Sequence, residues 1–445
     1  MGLLYDSDGN MVSGNNVINS KIYGIYIRFS DNIKVSGNNM THCGINIRGY
    51  LEQIISHKID TTNLVNDKPV YYYINEIGLG TYNFTYAGDP GQVILVNCSN
   101  SNVSNLNLSY ASIGILLLYS DNNTVSGNNA TNNTVDGIWL EYSDNNTISG
   151  NTANNNTHYG IHLFLSNNNN ISGNNATNNN ANDGIYLSLS NNNNISGNTA
   201  NNNEYGIYIR DSDSNIVSGN TAANNTRYGI NLYYSDNNTV SGNTANNNSR
   251  EGISLYFSNK NKISENFINN NIRYGIYLSG SDYNLVWGNI ANYNNESGIY
   301  LYNSDNNNVS GNIANNNEIN GINFIKSNFT TISRNTANYN NNSGIYLYSS
   351  DNNTLSGNIA NNNYYGINLT ASNYNNIIGN TLFDNNICYS EDETCIGNTS
   401  KNNICVKGEP SEDSWIILGV IGIIVASIIL IELSVLYWQF KRKVK

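Results

Sequence analysis

The amino-acid sequence predicts an all-β protein: a parallel β-helix solenoid of about 23 residues per coil, followed by one C-terminal transmembrane helix. Three observations carry this. A glycine recurs at Gly114, Gly137, Gly160, Gly184, Gly206, Gly229, Gly252, Gly275, Gly298, Gly321, Gly344 and Gly366, a step of about 23 residues that marks a stack of one repeated unit. Within each step the apolar residues keep the same places at strand spacing, and no helical period is present. Finally, residues 415–440 form an apolar stretch of about 26 residues, long enough to span a bilayer with some tilt.

One coil can be read from Gly229 to Ala245. In Gly-Ile-x-Leu-x, Ile230 and Leu232 lie two apart and share one strand face, leaving the x residues outside. A second short strand carries one inward aliphatic, Val240, matched by Val125, Ile148, Ile171, Ile195, Val217 and Ile263 in other coils. A third piece puts a small residue, Ala245, into a narrow corner, as do Ala130, Ala153, Ala200, Ala314 and Ala360. Ser-Asp-Asn-Asn and Asn-Asn-Asn turns join the pieces, since Asn tolerates the left-handed conformation and bonds its own backbone. A single such coil buries too little to stand alone, so stability must come from stacking. About 16 coils at roughly 4.8 Å each predict a rod about 75 Å long. A leucine-rich repeat would ask for more Leu and often a helix, and a disordered Asn-rich tract would not keep the aliphatic spacing.

The Asn after the second glycine stands at Asn128, Asn151, Asn174, Asn198, Asn220, Asn243, Asn266, Asn289, Asn312, Asn335, Asn358 and Asn380, and persists where that glycine is replaced by Glu265 or Arg334. Stacked in register, these amides can bond one another along the axis as a structural ladder. The alternative is a column that reads a ligand.

Along the chain, residues 1–49 read as β-helix coils. Met1 to Asn10 resemble the middle of a later coil, with no signal peptide and no cap, so the sequence is expected to lack an upstream part. Residues 50–90 break the pattern and are expected to form irregular coils with one longer loop, including Asp60-Thr61-Thr62-Asn63 and Lys68-Pro69-Val70-Tyr71-Tyr72-Tyr73. Repeats resume over 91–386. Residues 387–414 form a cysteine-containing cap or stalk, where Cys388, Cys395 and Cys405 are disulfide candidates of open connectivity. After the span 415–440, with Glu432 as its one acid, comes the basic tail 441–445. Its Lys441, Arg442, Lys443 and Lys445 predict a cytoplasmic C-terminus and extracellular repeats.

The net charge is −12; the tail contributes +4 and Glu432 −1, which leaves −15 on residues 1–414. An acidic exterior argues against nucleic acid as a partner. The roughly 23 Asn-x-Ser/Thr sequons, against roughly 16 expected by chance for this composition, permit glycosylation without requiring it.

The Tyr-Gly-Ile-x-Leu, Ser-Asp-Asn-Asn-Thr-Val/Ile and Ser-Gly-Asn-Thr-Ala units resemble the right-handed parallel β-helix repeats of NosD-like proteins, also described as carbohydrate-binding and sugar-hydrolysis repeats. The resemblance covers roughly residues 1–386 and extends to large archaeal surface proteins. It implies a right-handed helix, and three functional readings stand beside it.

The first is a cell-surface structural or glycan-binding protein. One outward column holds Trp139, Tyr186, Tyr208, Tyr277, Tyr300 and Tyr346, and the next holds Phe164, Tyr233, Tyr256, Tyr302 and Tyr348. Such a strip could stack on sugars, as aromatics stack on bases. Equally, aromatics favour strands and pack on cross-strand neighbours. The second reading is a polysaccharide lyase or hydrolase. The turn column Asp121, Asp144, Asp213, Asp236, Asp282 and Asp305 sets acids about 4.8 Å apart, which suits carboxylate pairs or Ca2+. Asn167, Asn191 and Asn259 take the same place in other coils, as a turn position requires, and no catalytic residue is assigned. The third, implied by the NosD resemblance, is copper handling, for which Met40, His42 and Cys43 are the soft ligands nearest one another. Met40 falls at an inward position, which makes it core. The sequence therefore favours a membrane-anchored, non-catalytic surface β-helix. Its expected partners are the membrane and surface polysaccharide or other envelope proteins. No cofactor is called for, Ca2+ being the one ion the Asp column admits.

Overall fold

Coil after coil, parallel pairing in constant register builds the protein, and it does so in two units rather than one rod. The computed structural model describes residues 2–179 and 182–407, with side chains from residue 5 onward. The expected membrane span and basic tail lie outside the described residues. Among the described residues no helix is long and apolar enough to cross a membrane. The solenoid has about 17 coils in all.

The larger unit begins at strand Lys68–Ile74. Its first sheet runs through Gln92–Val96, Ile113–Leu118, Asp136–Glu141 and onward to Ile387–Glu391, each strand parallel to the next. A 14-stranded second sheet runs from Asn102–Ser104 to Thr399–Lys401. A third column consists of single bridges, from Asn107–Asn129 to Ile359–Thr381. Ile230, Leu232, Val240 and Ala245 are fully buried, as the two-residue spacing predicts. The corner glycine is demanded by close approach. A Cβ on Gly206 would lie 2.6 Å from the Gly229 carbonyl oxygen and 2.8 Å from Ala222 Cβ.

Turns stack as regularly as strands. Asn243 Nδ2 donates to Asn266 Oδ1 in the next coil and to the Val217 carbonyl of the previous one, both at 2.9 Å. The same column runs from Asn128 to Asn380. Three further columns do similar work. Ser235 N–H donates to Ser258 Oγ, Asn238 N–H to Asn261 Oδ1, and Asn248 N–H and Nδ2 to Asn271 Oδ1. The buried backbone N–H groups of these turns thereby find acceptors in the neighbouring coil.

The smaller unit is an arm of three coils. Its strands Gly2–Tyr5, Ile25–Arg28 and Ile45–Arg48 form one short sheet, and Met11–Ser13, Lys34–Ser36 and Lys58–Ile59 another. The break in the repeat is an elbow. Leu64–Val65 pairs antiparallel with Lys68–Ile74 across Asn66 and Asp67, whose φ angles are 52° and 61°. Positive φ at both central residues reverses the chain in two residues, as in a type I′ hairpin. A short helix, Leu51–Ile55, lies in the arm's last coil.

Two hydrophobic clusters result, one along the interior of the rod and one inside the arm. The arm cluster includes Ile94, Val96, Leu116 and Leu118, which occupy outward positions on the rod and yet are at most 1% exposed. The arm is seated on the rod's flank. Its last strand would leave a free edge, a liability that the rod covers. Gln92 Oε1 accepts from Ile45 N–H at 2.9 Å and Gln92 Nε2 donates to the Ile45 carbonyl at 2.7 Å, while Ser112 Oγ accepts from Gly44 N–H. The straight 75 Å rod expected from the repeat is thus replaced by a shorter rod with a side arm, because four outward aliphatics and one glutamine give the arm somewhere to pack.

Candidate functional site

Outward side chains of the rod's first sheet form its most varied surface. Strand geometry stands them perpendicular to the sheet, one coil apart along the axis. Tyr186 and Tyr208 stack with ring centroids 5.3 Å apart, and Tyr277 and Tyr300 at 5.4 Å. Tyrosines from the corner just before the glycine join them: Tyr205 lies 4.9 Å from Tyr208, and Tyr274 lies 4.5 Å from Tyr300. Two of these four pairs are near parallel, Tyr205–Tyr208 at 15° and Tyr277–Tyr300 at 21°, and two are tilted, Tyr186–Tyr208 at 34° and Tyr274–Tyr300 at 42°. Tyr233, Tyr256 and Tyr346 are half-buried, while Tyr302 and Tyr348 are exposed at 38% and 39%. Ion pairs run beside the tyrosines at the corner. Arg227 meets Glu204 at 3.0 Å, and Arg273 bridges Glu251 at 3.1 Å and Glu296 at 3.3 Å.

Trp139 departs from the strip. It is 3% exposed, covered by the arm's Arg48, whose guanidinium carbon stands 4.5 Å from the ring centroid. Arg48 Nε also lies 3.6 Å from Glu141 Oε2. On its other side Trp139 stacks on His162 at 4.9 Å, and His162 Nδ1 meets Asp136 Oδ2 at 3.1 Å. Asp136 Oδ1 accepts from the Tyr159 N–H at 3.1 Å. Tyr23 of the arm is held nearby, its hydroxyl pushed up to about 12, chiefly by burial and then by the Asp136 charge. Burial likewise pushes the Glu141 carboxyl up against the pull of Arg48. The elbow therefore gathers an acid–imidazole pair, a second carboxyl, a guanidinium and a phenol from both units. Sequence reasoning found no such gathering within one coil because its members are spread from Tyr23 to His162. The available signal was His162, an imidazole in the outward column where the next coils have Tyr186 and Tyr208.

The Asp column has a structural task. Asp121 Oδ1 accepts the Asp144 N–H at 2.7 Å, Asp213 Oδ1 that of Asp236, and Asp282 Oδ1 that of Asp305. Asp144, Asp236 and Asp305 serve Asn167, Asn259 and Asn328 in the same way. Where Asn stands in the column, Asn191 Oδ1 accepts from the Asp213 N–H. Either residue supplies the oxygen, which accounts for their interchange. Among the described residues no three His, Cys, Asp or Glu side chains gather as a metal set.

Met40 and Cys43 are fully buried in the arm cluster, and the Cys43 thiol faces the Thr41 and Val17 carbonyls. His42 points the other way and bonds Asn19 Oδ1 at 2.9 Å. These residues do not converge on one point and do not fit a copper centre. Near the C-terminal end Cys388 and Cys405 are joined, with Cα atoms 5.9 Å apart, and Cys395 stays a thiol.

Compared with known proteins, the chain matches the family model described as periplasmic copper-binding protein (NosD) over residues 55–215, 179–292 and 273–405. No curated protein matches it. Among solved structures it is similar to the periplasmic alginate epimerase AlgG, at 15% identity over 90% of this chain and 84% of that one, with a TM-score of 0.37. It is similar to the A-module of a mannuronan C-5 epimerase from Azotobacter vinelandii, at 13% identity over 92% and 91%, TM-score 0.35. A third is PfbA, a surface adhesin of Streptococcus pneumoniae, at 12% identity over 63% and 83%, TM-score 0.41. Since the family matches run through both the elbow and the rod, the chain belongs to the NosD family, as a right-handed parallel β-helix repeat protein.

Proposed function

We propose that this chain is a cell-surface β-helix that holds an extended polysaccharide along the outer face of the rod's first sheet. The observation behind this is the row of half-buried tyrosines, Tyr186, Tyr208, Tyr277, Tyr300 and Tyr346, flanked by Arg–Glu pairs. The half-buried rings carry hydroxyls along this face, and the ion pairs add donors and acceptors to the same track. A polymer laid parallel to the axis would meet tyrosine rings in several coils along its length, which suits an elongated glycan better than a compact ligand. The apolar stretch 415–440 and its basic flank would hold the rod at the membrane, with the repeats outside.

The test incubates the full-length chain in detergent with a panel of acidic and neutral polysaccharides, with and without Ca2+. Retention and new chain ends are scored together. Retention without new ends is expected, and replacing Tyr300, Tyr302, Tyr346 and Tyr348 by Ser should abolish it. Retention that survives this fourfold change would remove the reading.

A second reading rests on the elbow, where Asp136, His162, Arg48, Glu141 and Tyr23 meet. An imidazole oriented by a carboxylate can take a proton next to a sugar carboxylate, and a guanidinium can hold that carboxylate. Unsaturated chain ends that vanish in His162→Ala would establish it.

A further inference from the structure

The tyrosine row has a gap. Between Tyr208 and Tyr277 the same outward column holds Asn231 and Ser254, which are register partners on adjacent strands. Small outward residues ought to leave a dent open to solvent, yet Asn231 is 4% exposed and Ser254 not at all. They are roofed. Tyr228, from the corner of one coil, and Tyr256, from the strand end of the next, meet hydroxyl to hydroxyl at 3.1 Å. Arg250 Nη1 donates to the Tyr228 hydroxyl at 3.2 Å, and the Tyr256 ring stands edge-on to Tyr277 at 5.4 Å.

Beneath this roof three buried polar atoms have no hydrogen-bond partner: Asn231 Oδ1, Ser254 Oγ and Glu251 Oε2. Glu251 is fully buried and spends its other oxygen on Arg273. Unpartnered buried polar atoms are costly and call for an occupant. Two acceptors and a hydroxyl on one floor, walled by aromatic rings, match neighbouring hydroxyls on a pyranose ring. The Glu251 carboxyl on that floor disfavours a uronate, and Glu296 lies just beyond Arg273.

We propose that the gap is a subsite for one neutral hexose, occupied when Tyr256 swings away from Tyr228. The sugar's adjacent hydroxyls then donate to Asn231 Oδ1 and Glu251 Oε2 and exchange a bond with Ser254 Oγ. This deepens the flank reading given above and rests on it. It narrows the ligand to a polymer with at least one uncharged residue, gripped at a defined coil.

The test uses the full-length chain in detergent, with cellohexaose, mannohexaose and tetragalacturonate as probes. Ser254→Ala should weaken binding of a neutral hexaose roughly tenfold or more, as expected when one buried partner is lost. Asn231→Tyr with Ser254→Tyr continues the ring row as neighbouring coils already do, so the fold should hold, checked by an unchanged melting temperature. That double change should abolish neutral binding. Tyr256→Phe removes the hydroxyl latch and should tighten binding several-fold. Neutral binding untouched by the double change would overturn the subsite, leaving an internal water as the occupant. In that event the Tyr300, Tyr302, Tyr346 and Tyr348 set decides the flank reading by itself. Exclusive binding of tetragalacturonate would overturn the neutral assignment, and binding of no probe or polysaccharide would overturn both readings.

Discussion

Replacing Asn243 by Ala isolates the energy stored in the turn ladder. Its side chain makes four hydrogen bonds: Oδ1 accepts from Asn220 N–H and Nδ2, and Nδ2 donates to Val217 O and Asn266 Oδ1. At about 0.5–1.5 kcal/mol for each bond, the loss comes to about 2–6 kcal/mol. Much of it falls on the buried Asn220 N–H, whose acceptor disappears. Unfolding entropy of about 2.1 cal/mol/K per residue, over roughly 400 cooperating residues, converts this to a fall of about 2–7 °C in melting temperature. If only the altered coil and its neighbours open, roughly 70 residues, the same energy moves that local transition by about 14 °C or more. Calorimetry reads the first case, and hydrogen exchange at the Asn220 amide reads the second. Asn295→Ala, at an exposed position of a nearby turn, serves as control and should be silent. A shift below 1 °C, together with unchanged exchange at Asn220, would refute the ladder as a source of stability.

Four further outcomes are expected. Gly229→Ala puts a Cβ 2.6 Å from the Gly252 carbonyl and should destabilise by about 1–3 kcal/mol, measured by thermal melting. Glu265→Gly relieves a non-glycine residue at φ 58° and should stabilise by about 1 kcal/mol, read the same way. Burial lowers the His57 pKa to about 4, and its Nδ1 accepts the Ile33 N–H, so the neutral ring is the folded form. Its contribution is complete above the unfolded value of about 6.5 and is lost as pH falls from there toward 4; His57→Gln should flatten that part of a stability–pH profile. Cys388→Ala with Cys405→Ala releases a bridge across 17 residues, and proteolysis should then trim the last coils first.

The repeat was legible because its inward residues obey one spacing. Ile230, Leu232, Val240 and Ala245 are where a two-residue period and a narrow corner require them. The Asn243 column was legible because it survives loss of the glycine before it. The Ser235, Asn238 and Asn248 columns were not, since Ser and Asn in a turn have a sufficient local explanation and in-register stacking is a property of the assembly. The elbow left two marks that went unread. Asn66-Asp67 between Leu64-Val65 and Lys68-Pro69-Val70 is a two-residue reversal, and Ile94, Val96, Leu116 and Leu118 are aliphatic in columns that later hold Tyr, Ser and Thr. The elbow cluster itself was out of reach, because nothing local ties Arg48 to Glu141 or Tyr23 to Asp136.

A repeat protein states its scaffold many times and its function once. Asp213 and Asn191 interchange because the turn asks only for an oxygen facing the next coil's N–H, and either residue supplies it. Positions that obey such a rule carry stability, and substitutions within the rule should cost little. Function is to be sought where the rule is broken at a cost and the break persists in a folded chain. Two places on the outer face of the first sheet gather several such breaks together. At the elbow, Asp136 and His162 bring buried polar groups to a face where tyrosine would pack more simply. At the gap, Asn231, Ser254 and Glu251 hold buried atoms with no partner where a tyrosine pair would have left none. Both lie on the same outer face, and the intact tyrosine stretch Tyr186–Tyr208 lies between them. A ligand reaching from one to the other must follow the rod axis across those rings, so the two departures from the repeat favour the same elongated ligand.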